Sequence, residues 1–168
     1  MAEILCFSRN RCTTVEAVDD RITRSISRVQ DTATEAEVEI LVQAPDLEII
    51  AIRGAVQRSA AGETRDFSAE LRPVIGARVG PGIKKIIRGL LGETPLLETW
   101  TALLEECCNG VIMVFTKEVL LQAPKDRDGE RDFFLTMVRA NPRLYNSCAA
   151  LAADSPLMAG LETGISGK

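Results

Sequence analysis

The residues best suited to hold a small anion lie in one glycine-rich segment near the middle of the chain. It runs from Gly76 to Lys85 and reads Gly-Ala-Arg-Val-Gly-Pro-Gly-Ile-Lys-Lys. Free N–H groups at a helix N-terminus bind phosphate or carboxylate, and nearby cations strengthen that attraction. The sequence therefore predicts an anion site made of Arg78, Gly80, Gly82, Lys84 and Lys85.

The segment departs from the known phosphate-binding loops. Pro81 occupies the place of the second glycine of a Walker loop, and Lys85 that of the third glycine of a dinucleotide fingerprint. The other interpretation is therefore a turn that leads into a helix with a solvated basic face.

The cysteines offer a second kind of chemistry. Cys107 and Cys108 are adjacent, and neighbours on a helix diverge by about 100°. They lack the two-residue gap of redox and zinc motifs, so we expect small, buried apolar residues. A thiolate site that includes Cys148 is the alternative.

A stripe of carboxylates is formed by Glu35, Glu37 and Glu39, which alternate with apolar residues. Glycosidase-like chemistry needs two carboxylates with separated pKa values. The alternation favours the solvated face of a strand instead, with Arg24 and Arg28 as cross-strand partners.

The chain contains no histidine. This excludes Ser-His and Cys-His nucleophile pairs and removes the usual acid–base group near neutral pH. Imidazole is also the commonest metal ligand, so we predict neither a metal site nor a cofactor.

Composition restricts the class of partner. The net charge is −4 and aromatic residues make up 4%, which disfavours nucleic acid and anionic membranes. Five cysteines, an odd number, with no signal-peptide pattern predict free thiols and a soluble, cytoplasmic protein. A length of 168 residues predicts a single domain over 1–168.

The first third of the chain predicts β-structure. Strand patterns occur at about 3–8, 11–18, 21–29, 35–42 and 47–57, with a turn at Ala44-Pro45-Asp46. Short connections favour an antiparallel meander of about four strands.

From about residue 68 the apolar period changes to that of a helix. We predict a short helix at 68–75 distorted by Pro73, one that starts at Pro81 and ends before Gly92, and a long one from Thr94-Pro95 to Gln122. A loop at 125–130 and helices at 131–140 and 142–153 follow. Strands at about 3–57 before helices at about 68–161 predict an α+β fold.

Two segments carry a resemblance. Val74-Ile75-Gly76-Ala77-Arg78-Val79-Gly80-Pro81-Gly82-Ile83 is followed by a basic helix, and Asn146-Ser147-Cys148 lies near the end. Over about residues 4–153 the chain resembles the bacterial domain-of-unknown-function family numbered 2889. The resemblance implies strands before helices and points to Arg9, Arg78 and Cys148 as matching polar or reactive positions.

The chain departs from that family at its histidines. It has Phe7-Ser8-Arg9 where the family shows His-Thr-Arg, Leu96-Leu97-Glu98-Thr99-Trp100 where it shows Gly-Cys-Thr-His-Leu, and Ala149 where a histidine follows Ser-Cys. The resemblance therefore describes a divergent member that cannot use those imidazoles.

Two functions remain open. The first is a non-catalytic binding or accessory protein, such as a small subunit of a bacterial metabolic enzyme complex, with a purely structural homodimer through the apolar long helix as a further option. Trp100 and Tyr145 are expected to be core or interface anchors. The second is an enzyme or sensor for a small anionic metabolite, such as an acyl-CoA or aromatic acid. The helix start at Gly80–Lys85 would hold the anion with Arg9 or Arg78, and Cys148 or a carboxylate would carry out any chemistry.

Overall fold

The computed structural model describes residues 6–59, 62, 64–92 and 95–161, except the side chains of 95–97. The chain divides into two compact units, Met1–Phe115 and Thr116–Lys168. The prediction of a single domain stays a prediction. In the described part, every helix is too short or too polar to cross a membrane.

The first unit is built on an antiparallel sheet in the order β1-β2-β3-β4-β5. Its strands are β1 (Arg9–Ala17), β2 (Ile22–Asp31), β3 (Glu35–Gln43), β4 (Glu48–Arg58) and the two-residue β5 (Arg65–Asp66). Because each strand pairs with its neighbour in sequence, the predicted meander and the α+β class are confirmed.

The sheet has one apolar face and one charged face, as alternation along a strand requires. Ala36, Val38, Ile40 and Val42 of β3 are buried, whereas the glutamates between them are half-buried. On the charged face Arg28 forms an ion pair with Glu37, as predicted, but Arg24 pairs with Glu16 of β1 at 2.9 Å.

Four α-helices follow the sheet within the described residues: α1 (Ser68–Leu71), α2 (Ile83–Leu91), α3 (Pro95–Gln122) and α4 (Arg127–Ala140). In the first unit, α3 packs on the apolar face of the sheet. The Ser25 hydroxyl donates to the carbonyl oxygen of Cys107 at 3.0 Å, and the Cys107 thiol donates to that of Val38 at 3.4 Å. Trp100 is 3% exposed in this core, with its ring centroid 4.5 Å from that of Phe67.

The second unit has its own small core. Phe134, Leu135 and Val138 of α4 are buried there with Leu151 and Met158, and Tyr145 packs against them half-buried. The segments around Leu151 and Met158 are single turns of 3-10 helix, Ala149–Leu151 and Pro156–Met158.

Several predicted boundaries were wrong. Residues 6–8 are not a strand, and residues 1–5 and Thr94 lie outside the described residues. The loop predicted at 125–130 is largely the first turn of α4, because the Asp126 side chain accepts a hydrogen bond from the Gly129 N–H and caps the helix. The helix predicted at 142–153 is replaced by two 3-10 turns, Pro142–Leu144 and Ala149–Leu151.

The segment around Pro73 and Pro81 also differs in detail. The helix predicted at 68–75 is α1 followed by a 3-10 turn, Arg72–Val74, as expected for a distortion at Pro73. The next helix starts at Ile83 rather than at Pro81 because Gly82, its N-cap, has a left-handed backbone with φ 81°. Gly92 ends α2 as predicted.

Candidate functional site

The predicted anion segment lies beside the start of β4. The N–H of Ile49 donates to the Ala77 carbonyl at 2.9 Å, and the N–H of Gly76 donates to the Ile49 carbonyl at 2.8 Å. Arg78 forms an isolated antiparallel bridge with Glu48. These contacts hold Arg78, Gly80 and Gly82 directly before α2, so the segment leads into a helix N-terminus as the sequence predicted.

Most cations of the segment already have carboxylate partners. Arg78 lies 3.5 Å from Asp46, and Lys84 lies 3.8 Å from Glu105 on α3. Arg88, one turn after Lys84, lies 2.9 Å from the same Glu105. Among the described residues Lys85 has no ion pair, and it is exposed. An incoming anion would therefore compete with two acidic side chains for the charge of this surface.

Glu105 of α3 forms ion pairs with two cations of α2. Its side chain is only 12% exposed; it accepts a hydrogen bond from Arg88 and forms an ion pair with Lys84, and both basic side chains are more than half exposed. A buried carboxylate is costly unless cations and hydrogen bonds compensate for it. Two of the three basic residues of α2, Lys84 and Arg88, therefore neutralise Glu105.

Arg9 and Arg78 lie at opposite ends of the sheet. Arg9 stands opposite Asp31 at the end of β2, whereas Arg78 stands opposite Glu48, which pairs with Gln43 at the far end of β3. A strand of nine residues spans roughly 30 Å, so one small ligand does not reach both side chains. Cys148 belongs to the second unit, where it is exposed.

Arg9 belongs to a network around the turn between β2 and β3. One carboxylate oxygen of Asp31 accepts from Arg9 Nη2 at 2.9 Å, and the other accepts from the N–H groups of Ala33 and Thr34. These hydrogen bonds, that from the Ala33 N–H above all, lower the pKa of the Asp31 carboxyl. Arg58 of β4 donates to the Asp31 carbonyl at 2.8 Å. The network joins three strands.

The adjacent cysteines are confirmed as buried residues of a long helix. Cys107 and Cys108 both lack solvent exposure, and burial raises the pKa of each thiol to about 12. A thiolate is the reactive form of cysteine, so neither side chain is suited to nucleophilic attack in the folded protein. Among the residues that the structure describes, there is no group of three or more metal-ligating side chains.

Two surfaces of the first unit escaped the sequence reasoning. Ile86 and Leu90 lie one turn apart on α2 and remain 40% and 45% exposed, although the sequence pattern places them in the same stripe as Ile83 and Ile87. The sequence does carry a signal for this exposed surface, because α2 has five large apolar residues in nine positions. The core buries only Ile83, Ile87 and Leu91.

The second surface is a groove of about 490 Å³ between β1 and α3. Thr13 and Val15 of β1 line it together with Gly110, Met113 and Val114 of α3. Met113 is 70% exposed there. The sequence signal for this surface was weak because β1 is polar, with only Val15 half-buried.

Comparisons with protein-family models, curated proteins and solved structures found no match to this chain. The resemblance carried by the glycine segment and by Asn146-Ser147-Cys148 therefore stays a prediction.

Proposed function

We propose that this chain is a non-catalytic binding protein that serves as a small accessory subunit, with the outward face of α2 as its docking surface. The observation that carries the proposal is the pair of exposed apolar side chains, Ile86 and Leu90, on a helix that is already anchored by buried ones. We call this pair, with Gly89 between them, the α2 face.

The state of the reactive groups supports a binding role. Arg9, Arg78 and Lys84 each have a carboxylate partner, and the two cysteines of α3 are buried with a raised pKa. A catalytic group must reach its substrate in the right protonation state. These groups are committed to contacts within the fold instead.

The α2 face has the properties of a docking surface. Ile86 and Leu90 are four residues apart, so their side chains lie next to each other along the helix. Gly89 adds no side chain, and a Cβ placed there would have no atom within 4 Å, which leaves room for close approach. Lys85 lies on the adjacent row of the helix and is exposed. The surface therefore suits an apolar partner helix with acidic residues at its margin.

The partner is tested by co-purification at native expression levels with quantitative mass spectrometry. The wild-type chain is compared with an Ile86→Glu/Leu90→Glu double variant, because two carboxylates on the α2 face oppose apolar docking. Val18→Glu is the matched control, since Val18 is an apolar residue 48% exposed directly after β1 and is not part of α2. Trp100 fluorescence checks that each variant is folded.

One larger protein is expected in constant stoichiometry with the wild-type chain and with Val18→Glu, and it should be lost from the double variant. Equal recovery from all three chains would show that the α2 face is not the docking surface. Substrate turnover by the purified chain alone would reject the non-catalytic role.

A further inference from the structure

We propose that β1 pairs with β1 of a second copy of this chain, antiparallel and centred on Thr13, so that the sheet continues across a symmetric dimer. This surface is separate from the α2 face: Glu106 of α3 points to β1, whereas its neighbour Glu105 points to α2. The dimer therefore stands or falls independently of the accessory role.

The two edges of the sheet differ in how much of their backbone is paired. Along the outer edge of β4, β5 covers Ala55 and Val56, and the bridge at Arg78 covers Glu48. At the other edge β1 runs for nine residues with a continuous register to β2. It contains no proline, lysine or bulge, and its three charged side chains, Arg9, Arg11 and Glu16, are neutralised within the chain by Asp31, Glu106 and Arg24. Among the described residues no strand pairs with its outer side.

The register of β1 with β2 shows which backbone groups are free. The Val18 N–H donates to the Ile22 carbonyl at 2.8 Å, and the Thr32 N–H donates to the Ser8 carbonyl at 3.2 Å. Pairs alternate in an antiparallel ladder, so the even-numbered residues of β1 bond to β2. The N–H and C=O groups of the odd-numbered ones point outward: Arg9, Arg11, Thr13, Val15 and Ala17.

A two-fold axis at Thr13 uses all of these outward groups. Thr13 then faces Thr13 of the second copy, Arg11 faces Val15, and Arg9 faces Ala17. Each pair exchanges two hydrogen bonds, about ten in total. No like charges are directly opposite, whereas a register centred on Arg11 would oppose two arginines. The strand can therefore pair with itself in this register with all five outward residues bonded.

The groove beside β1 lies next to the same axis. A Cβ on Gly110 would be 2.9 Å from Val15 and 3.5 Å from Ser25, so α3 lies above the space between β1 and β2. α3 crosses the strands, because Trp100 lies near Gly54 of β4 whereas Gly110 lies near Val15 of β1, so the helix points toward the axis. The exposed Met113 lines the groove beside this axis, and its flexible side chain suits a contact with the second copy.

A second copy fits this surface better than an unrelated strand. Symmetric pairing satisfies the backbone of β1 and covers Met113 of both chains in one contact, and two-fold dimers are the commonest soluble assemblies. An unrelated strand would satisfy the ladder but would bring no second α3 to the groove.

The test compares the solution mass of wild type, Thr13→Pro and Thr13→Val by multi-angle light scattering. Proline removes the outward N–H of Thr13 and spares the ladder to β2, whereas valine keeps that N–H and removes only the hydroxyl, which lies 3.0 Å from that of Ser27. We expect twice the chain mass for wild type and Thr13→Val, and the chain mass for Thr13→Pro.

Amide hydrogen exchange of the wild-type chain keeps the proposal testable if the proline variant does not fold. The outward amides of Arg11, Thr13 and Val15 should become protected as protein concentration rises, while those of Cys12 and Thr14 are protected throughout. A single-chain mass at all concentrations with fast exchange at Thr13, or a dimer unaffected by Thr13→Pro, would overturn the proposal.

Discussion

The guanidinium of Arg9 donates to a single carboxylate oxygen of Asp31 through both Nε, at 3.1 Å, and Nη2, at 2.9 Å. Asp31 is 5% exposed at its side chain, and its other oxygen accepts two backbone N–H groups from the following turn. Arg9, predicted as a ligand for an anion, is therefore part of the contact that closes one end of the sheet.

The lowered pKa of Asp31 predicts a stability loss in acid. Because its pKa is lower in the folded chain than in the unfolded chain, the ionised carboxylate stabilises the fold above the ordinary value of about 4. That contribution is lost as pH falls through the lowered folded pKa. Urea unfolding followed by Trp100 fluorescence should show wild type more stable than Asp31→Asn at neutral pH, with the difference shrinking below about pH 4.

The comparison with Asp31→Asn isolates this carboxyl from Asp66, whose pKa is also lowered, mainly by its hydrogen bond from the Ser68 side chain. Asp66 is present in both chains and cancels in the difference. A constant difference between the two proteins across the acid range would contradict the assignment.

Gly54 predicts a specific cost of adding one methyl group. A Cβ on Gly54 would be 2.6 Å from the Leu71 side chain, which has no solvent exposure and therefore little room to move. Gly54→Ala should destabilise the first unit by about 1–3 kcal/mol, as overpacking typically does. Gly89→Ala is the control, because a Cβ there meets no atom within 4 Å and alanine favours a helix by about 1 kcal/mol. Relative to wild type, the denaturant midpoint should fall for Gly54→Ala and rise for Gly89→Ala. An unchanged midpoint for Gly54→Ala would show that Leu71 can move.

The sheet was predictable because alternation is a local signal. In β3 the order of glutamate and apolar residues assigns each side chain to a face, and the structure keeps that assignment. The end of α2 was predictable for the same reason, since Gly92 adopts the backbone that only a glycine readily takes.

The partners of charged side chains were not predictable from the chain alone. In the sequence, Lys84 and Arg88 look like a solvated basic face. In the fold they contact Glu105 of α3, which lies at least 17 residues further along the chain. Arg24 stands directly opposite Glu16 of β1 and Leu41 of β3, so its pairing with Glu16 follows from a strand register that the sequence does not give. Such contacts depend on packing between elements, which no periodicity encodes.

Burial of the α3 cysteines predicts that the five thiols react with a thiol reagent at two distinct rates. Cys6, Cys12 and Cys148 are exposed and should react rapidly with a thiol reagent in the native protein. Cys107 and Cys108, whose pKa is about 12, would be ionised in about one molecule in ten thousand at pH 8. They should react only as the chain unfolds. The matched control is Cys107→Ala/Cys108→Ala, which should lose the slow class alone; five rapid thiols in wild type would contradict the buried placement.

The pairing of the basic residues before and within α2 predicts weak anion binding. Arg78 and Lys84 already face Asp46 and Glu105, so inorganic phosphate should raise the melting temperature no more than sodium chloride at equal ionic strength. Arg78→Ala, which removes only an exposed and salt-screened pair, should leave that response unchanged. Thermal unfolding followed by Trp100 fluorescence measures both. A stabilisation specific to phosphate that disappears in Arg78→Ala would instead favour a metabolite-binding role for the glycine segment.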